Sequence, residues 1–183
     1  MLHALEATTI NELTQVHELN RQNLKENLPA EEQQKQGFVT WLYPVSLLQQ
    51  INNLAPAILV KEDEKVVGYA LVTPIEAASF HADLKALINK LATIDYKNKP
   101  LTSYSYYIMG QVCIDKAYRG KGIFNMLFTK HKELYRSKYQ LLITEISPHN
   151  YRSQKAHEKI GFTTIHTYSD ALGDWNVVVW DWK

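Results

Sequence analysis

Cysteine is nearly missing from this sequence: Cys113 is the only one in 183 residues. A lone thiol excludes an intramolecular disulfide and any cysteine-based zinc site, as expected of a reducing compartment. Net charge is nearly missing too, because 20 Lys and Arg offset 19 Asp and Glu to leave +1. No global field advertises nucleic acid or a membrane surface, so any polyanion site must be local. The apolar runs, such as Leu54 to Val60 around Pro56, fall far short of the roughly 20 residues a membrane span needs. The N-terminal MLHALEATTI has no basic segment followed by an apolar stretch of signal length, so the expectation is a mature, cytoplasmic chain as written. No repeat or low-complexity tract occurs. Two nucleotide-binding signatures are also missing: the P-loop G-x-x-x-x-G-K-S/T, and G-x-G-x-x-G closing an early strand with an acidic residue about 20 positions on.

What is present suits one core. A hydrophobic content of 45% over 183 residues predicts a single domain, residues 1–183. Leu13, Val16, Leu19 and Leu24 predict a helix from Asn11, its N-cap, to Glu26. A second helix is expected over Ala30 to Gln36, ending at Gly37. The aromatic stretch Phe38 to Pro44 reads as a folded insert, followed by a short helix through Leu47 and Ile51. Ala57 to Lys61 and Val66 to Thr73 read as a hairpin, and Ala77 to Leu91 as a helix. Asp95 to Leu101 is a polar loop. Strand Tyr106 to Ile114, helix Lys121 to Arg136, strand Leu141 to Ile146 and helix Asn150 to Ile160 imply a parallel crossover. Strands Phe162 to Tyr168 and Trp175 to Trp182 close a mixed α/β sheet. The last is apolar and long for an edge, which invites pairing and leaves room for a homodimer.

Charge gathers in one place. Residues 116–138 hold seven Lys and Arg against Glu133 alone, a net of +6, which leaves −5 for the rest of a chain that totals +1. Within this island Arg119, Gly120, Lys121 and Gly122 stand between a strand and a helix. A helix N-terminus offers unpaired N–H groups and partial positive charge, and glycine lets an anion lie against the backbone. A polyphosphate ligand fits such an island better than long nucleic acid does. The plainer alternative is a tight turn and a solvated lysine face.

Arg119-Gly120-Lys121-Gly122-Ile123-Phe124 resembles the GNAT acetyltransferase motif Arg/Gln-x-x-Gly-x-Gly/Ala, with Gln111 to Asp115 in the place of that family's splayed strand. Phe124 departs from it, standing where the family prefers Gly or Ala. Asn150-x-x-Ser153-x-x-x-His157-x-x-x-Gly161-Phe162 is similar to the family's second cofactor motif, with His157 where a Tyr is common. The resemblance is strong over residues 108–162. It implies a mixed, largely antiparallel sheet with a splayed parallel strand pair, flanked by helices, and acetyl-CoA as acyl donor. It also implies direct transfer to an amine, on a small molecule or a peptide, with no metal. The N–H groups of residues 119–124 would cradle the pyrophosphate. The backbone of Val112, Cys113 and Ile114 would pair with the pantetheine arm, and Asn150 and Ser153 would contact the cofactor. Cys113 itself reads as a small buried hydrophobe.

Asn150, Gln154, His157 and Gly161 align on one helix face, expected toward the cleft, with Ala156 and Ile160 toward the core. Asn150 either caps the helix or contacts pantetheine. His157 either protonates the leaving thiolate or is a histidine with one hydrogen bond. Glu145, in an otherwise apolar strand, is the candidate base for the acceptor's ammonium, or else a carboxylate held by N–H groups or a lysine. Glu76 is the second candidate base. Phe38, Trp41 and Tyr43 belong either to an acceptor pocket or to the core. Two other readings remain: an acyl-CoA sensor without catalysis, and a basic-helix nucleic-acid binder.

Overall fold

A computed structural model describes residues 1–183. Two hydrophobic strands set the geometry. Leu141–Ile146 (six residues) and Tyr106–Ile114 (nine) run parallel, but they pair only through Tyr106, Tyr107 and Ile108. Beyond Ile108 they diverge. Opposite Leu71 the longer strand carries an extra residue at Gly110–Gln111, since the register with its other neighbour shifts between Ala70 and Val72. A bulge of this kind bends a strand and releases it from one partner.

In chain order the strands are β1 Leu2–Glu6, β2 Ile58–Glu62, β3 Lys65–Thr73, β4 Asp95–Tyr96, β5 Lys99–Pro100, β6 Tyr106–Ile114, β7 Leu141–Ile146, β8 Thr163–Asp170 and β9 Gly173–Asp181. The helices are α1 Ile10–Gln22, α2 Ala30–Gln36, α3 Val45–Leu54, α4 Ala82–Leu91, α5 Ile123–Tyr135 and α6 Tyr151–Ile160. Seven strands form one sheet in the order β1-β2-β3-β6-β7-β9-β8, antiparallel except for β6 and β7. This is the mixed, mostly antiparallel sheet with one splayed parallel pair that was expected.

Alternation along the strands supplies a core on each face. Leu13, Val16 and Leu19 of α1, with Leu47 and Ile51 of α3, pack on Tyr69, Leu71 and Cys113. Leu91 of α4 continues that layer over Ile108, Ile143 and Val177. On the other face Ile123, Leu127 and Phe128 of α5 bury against Val67, Val72, Tyr107 and Met109.

Several local expectations change. Helix α1 starts at Ile10 with Thr9 as its cap, because Thr9 and Glu12 form a reciprocal capping box that Asn11 cannot. The segment Ala77 to Leu91 breaks at Phe80 and His81 into a 3₁₀ turn and α4, where His81 caps the new helix. Asp95 to Leu101 folds into the short β4–β5 hairpin. Strand β1 was not foreseen, its five residues being half-exposed at an edge. Strand β9 is interior, lying between β7 and β8. Its Val177, Val178 and Val179 are apolar because both faces are covered, which removes the edge-pairing argument for a homodimer. No helix is long and apolar enough to cross a membrane.

Candidate active site

The splay between β6 and β7 opens a cleft, and backbone alternation decides what lines it. Asp115 N–H bonds Val67 O, so in the antiparallel pairing of β6 with β3 the odd residues point at β3. Val112 and Ile114 therefore turn their N–H and C=O groups toward the cleft. Ile114 O accepts from Arg119 Nε at 3.3 Å, which leaves Val112 as the free edge. On the far wall Thr144 Oγ1 donates to Met109 O at 2.8 Å, bridging the strands where the splay begins.

At the end of β6 the chain makes a 3₁₀ turn over Lys116–Tyr118 and enters α5 through the glycine loop. Gly120 and Gly122 have φ of +80° and +81°, and a Cβ at either would meet nothing within 4 Å. Positive φ is the reason for glycine here, and open space faces it. The N–H groups of Gly120, Gly122, Ile123, Phe124 and Asn125 have no partner, since the first helical bond runs from Met126 N–H to Gly122 O. Those of Arg119 and Lys121 make long turn bonds of 3.4 Å to Lys116 O and Tyr118 O. The loop is thus a cradle of unsatisfied donors at a helix N-terminus.

The side chain of Arg119 points away from that cradle. Its Nη2 donates to Asn23 Oδ1 at 2.7 Å and its Nη1 to Gln36 Oε1 at 3.4 Å, and burial draws its pKa down. Lys121 is exposed, with Nζ 4.5 Å from the centre of the Tyr118 ring. Cys113 is buried with Sγ toward Leu19 O, and burial pushes its thiol up to about 12. Its backbone N–H and C=O face Tyr69 of β3, so neither they nor the sulfur are offered to the cleft, in contrast to the expectation that Cys113 would pair with pantetheine.

A strap, residues 37–44 between α2 and α3, crosses the cleft. Gly37 lies so close to α6 that a Cβ would stand 2.7 Å from Asn150 Oδ1. Asn150 Nδ2 donates to Phe38 O at 2.9 Å, while Oδ1 caps α6 by accepting Ser153 N–H. Asn150 thus caps the helix and pins the strap. On the opposite wall Gln111 Nε2 and Asn20 Nδ2 both donate to Trp41 O. Two cavities meet beneath the strap and share Phe38, Val39, Val112, Asn150 and Ser153. The smaller, about 260 Å³, runs to the glycine loop. The larger, about 550 Å³, contains Trp41, Tyr43, Leu84, Leu87, Glu145 and Tyr168 in its wall.

Glu145 and His157 both line the larger cavity. Burial raises Glu145 to about 7, partly opposed by Tyr168, whose O–H donates to Oε1 at 2.5 Å. Glu76 is exposed on a 3₁₀ turn outside both cavities. Asn150 at the helix cap lines both cavities, Gln154 is half-buried and Gly161 is exposed, while His157, the one buried residue of α6, turns its ring inward. The cause is the aromatic floor of Phe124, Phe128 and Phe162, whose rings meet the imidazole edge-on at 5.0 to 5.3 Å. Nδ1 lies 2.8 Å from Ser153 O, and because a carbonyl only accepts, Nδ1 carries the proton. Nε2 is then a bare acceptor without a partner, and burial lowers the pKa to about 4. In this arrangement the imidazole presents no proton to the cleft.

Sequence reasoning missed Tyr168, Lys90 and Thr144. Tyr168 and Thr144 sit in strands whose pairing brings them to the cleft, and Lys90 is one of many helix lysines; none carries a local signal.

The sequence profile of the acetyltransferase (GNAT) family matches residues 13–162. The chain belongs to the GNAT acetyltransferase family. Acetyl-CoA is the acyl donor of that family. An N-acetyltransferase from Staphylococcus aureus Mu50 is similar in structure, with a TM-score of 0.65 and 17% identity, over 100% of this chain and 99% of that one. The ribosomal-protein-S18-alanine N-acetyltransferase of Escherichia coli aligns at 0.64 and 11% identity, over 99% and 94%. The yncA protein of Salmonella typhimurium, solved with its cofactor acetyl-CoA, aligns at 0.62 and 14%, over 100% and 94%. At these identities the likeness is one of fold. No curated protein matches the chain by sequence.

Proposed function

We propose that the chain moves an acetyl group from acetyl-CoA to a primary amine by direct attack within one ternary complex, with Glu145 as general base. One observation carries this reading: a cradle of unpaired N–H groups leads, past the free backbone edge of Val112, to a cavity with a desolvated carboxylate in its wall. The donor set suits coenzyme A, since the cradle is built for a polyanion and the Val112 edge for an extended amide arm. When bound, acetyl-CoA supplies the thioester-activated acetyl group. Gly120, Gly122, Ile123 and Phe124 hold its pyrophosphate through N–H groups, Val112 pairs with pantetheine, and Ser153 lines the passage. The turn bonds of Arg119 and Lys121 leave these two residues to shape the loop and, for Lys121, to add positive charge.

Glu145 with a pKa of about 7 is matched to accepting an ammonium proton near neutral pH. His157 would serve the departing thiolate only if Nε2 gained a proton and the phenylalanine floor opened. Packed on the phenylalanine floor with Nδ1 bonded inside its own helix, it instead anchors α6 and keeps Asn150 and Ser153 at the passage. The aromatic wall formed by Trp41, Tyr43 and Tyr168 with Leu84 and Leu87 suits an amine with an apolar body, on a small molecule or a peptide. The chain acts as a single domain, 1–183.

A turnover screen with acetyl-CoA over small amines, amino acids and peptides tests the reading. Acetylated product from at least one class is expected. Acetyl-CoA binding without any product would support the sensor alternative, and salt-sensitive DNA binding that coenzyme A leaves untouched would support a nucleic-acid binder.

A further inference from the structure

Glu145 and Tyr168 lie two strands apart, with β9 between them. Glu145 pairs with Val177 and Tyr168 with Trp175. Adjacent strands are about 4.8 Å apart, so a long side chain is needed to reach across β9 to a carboxylate. The register that allows it is irregular. Pairing of β8 with β9 shifts between Thr164 and His166, leaving Ile165 as an extra residue. Without that bulge Thr167 would stand opposite Trp175, and alternation would turn Tyr168 to the other face. With it, Tyr168 shares the face of Glu145 and donates the 2.5 Å bond to Oε1.

The ring is held from the far side as well. It packs in the apolar cluster of Leu87, Ile88 and Leu91 of α4, and Lys90 Nζ stands 4.7 Å from its centre. The titratable groups around the cavity are Asp83 and Lys90 from α4, Tyr43 from the strap, His157 from α6, and Tyr168 and Asp170 from β8. Tyr168 alone bonds the Glu145 carboxylate, while Asp170 and Lys90 act on it through space in opposite senses. Oε2 of Glu145 has no hydrogen bond within the protein.

We propose that Tyr168 is a positioning residue for the acyl transfer, holding Oε1 of Glu145 so that Oε2 is presented to the acceptor amine. This rests on Glu145 being the base. Donation from the phenol favours the ionised carboxylate and so offsets part of the cost of burying it. The hydroxyl thereby sets both the direction and the working pH of the base.

Tyr168→Phe keeps the ring under Lys90 and removes only the hydroxyl. Rate–pH profiles are to be recorded for wild type, Tyr168→Phe and Glu145→Gln, and a ¹³C titration of the Glu145 carboxyl for the first two, its signal assigned by its loss in Glu145→Gln, with the fold checked by melting temperature. In Tyr168→Phe the acidic limb and the ¹³C titration should both move up by about one pH unit, a loss of about fivefold in kcat at about pH 7 that recovers in alkali. KM for acetyl-CoA should stay within about twofold. A limb that does not move, whether the rate falls evenly at every pH or is unchanged, would overturn the proposal. A wild type that acetylates no amine would instead overturn the functional reading, and the ¹³C titration would still report whether the hydroxyl governs the carboxyl. Wild-type activity in Glu145→Gln would remove the base that Tyr168 is argued to position.

Discussion

Phe124 and His157 meet ring to ring, centroids 5.0 Å apart and planes at 85°. These are the two positions at which the sequence departs from the family motif, and the contact makes the departures one feature. A phenylalanine where Gly or Ala is usual fills the gap between α5 and α6, and the smaller imidazole in place of tyrosine leaves room for it. His157→Asn, which is no larger and keeps a donor for Ser153 O, should therefore keep acetyl-CoA affinity and hold kcat within about threefold, whereas a proton donor would lose about 10²–10⁴-fold on removal. Steady-state kinetics on an identified amine decide between them.

The same contact predicts coupling. His157→Tyr alone overfills the space and should destabilise by about 1–3 kcal/mol. Adding Phe124→Ala should recover part of that loss, so a double-mutant cycle by chemical denaturation should be non-additive. Additive changes would mean that the rings do not share one cavity.

Glu145 carries opposite consequences for activity and stability. Its carboxyl is raised from 4.5 to about 7, mainly by burial, so ionisation costs the folded state free energy as pH rises through that interval. Stability is fully retained below about pH 4.5 and diminished above about pH 7. Glu145→Gln should thus be more stable than wild type by about 1–3 kcal/mol at about pH 8, with the difference vanishing near about pH 4. Its kcat should fall about 10²–10⁴-fold with little change in acetyl-CoA binding, and the rising acidic limb of the wild-type profile should disappear. Denaturation at two pH values and a rate–pH profile check both halves.

Arg119 and Lys121 separate the loop's architecture from its field. Arg119→Met removes the bonds to Asn23 and Ile114 and should cost about 1–3 kcal/mol of stability. Lys121→Met should leave the melting temperature unchanged and lessen the salt dependence of coenzyme A binding. The reverse pattern would place Arg119 on the phosphate.

Strong periodicity and local signals made much of the fold legible. Tyr106 to Ile114 and Leu141 to Ile146 were bounded to the residue because apolar runs between polar turns have few alternatives. The glycine loop was legible because positive φ at Gly120 and Gly122 requires glycine. Glu145 stood out as the one carboxylate in an apolar strand. What pairing order decides stayed hidden: β9 looked like an edge because the last strand in sequence need not be last in the sheet. The inward face of His157 depended on three phenylalanines from other segments. Tyr168 reaches Glu145 only through a bulge in β8, and the strap is pinned by Asn150 from 112 residues away.

The central claim is that the cleft between β6 and β7, headed by the glycine loop, is the coenzyme A site. Calorimetric titration of acetyl-CoA into wild type, Gly120→Glu and Gly122→Glu tests it most directly, with circular dichroism confirming that each variant is folded. A carboxylate set into the cradle should repel the pyrophosphate and weaken binding by at least about 100-fold, a loss of about 2.7 kcal/mol. Undiminished affinity in both folded variants would contradict the account.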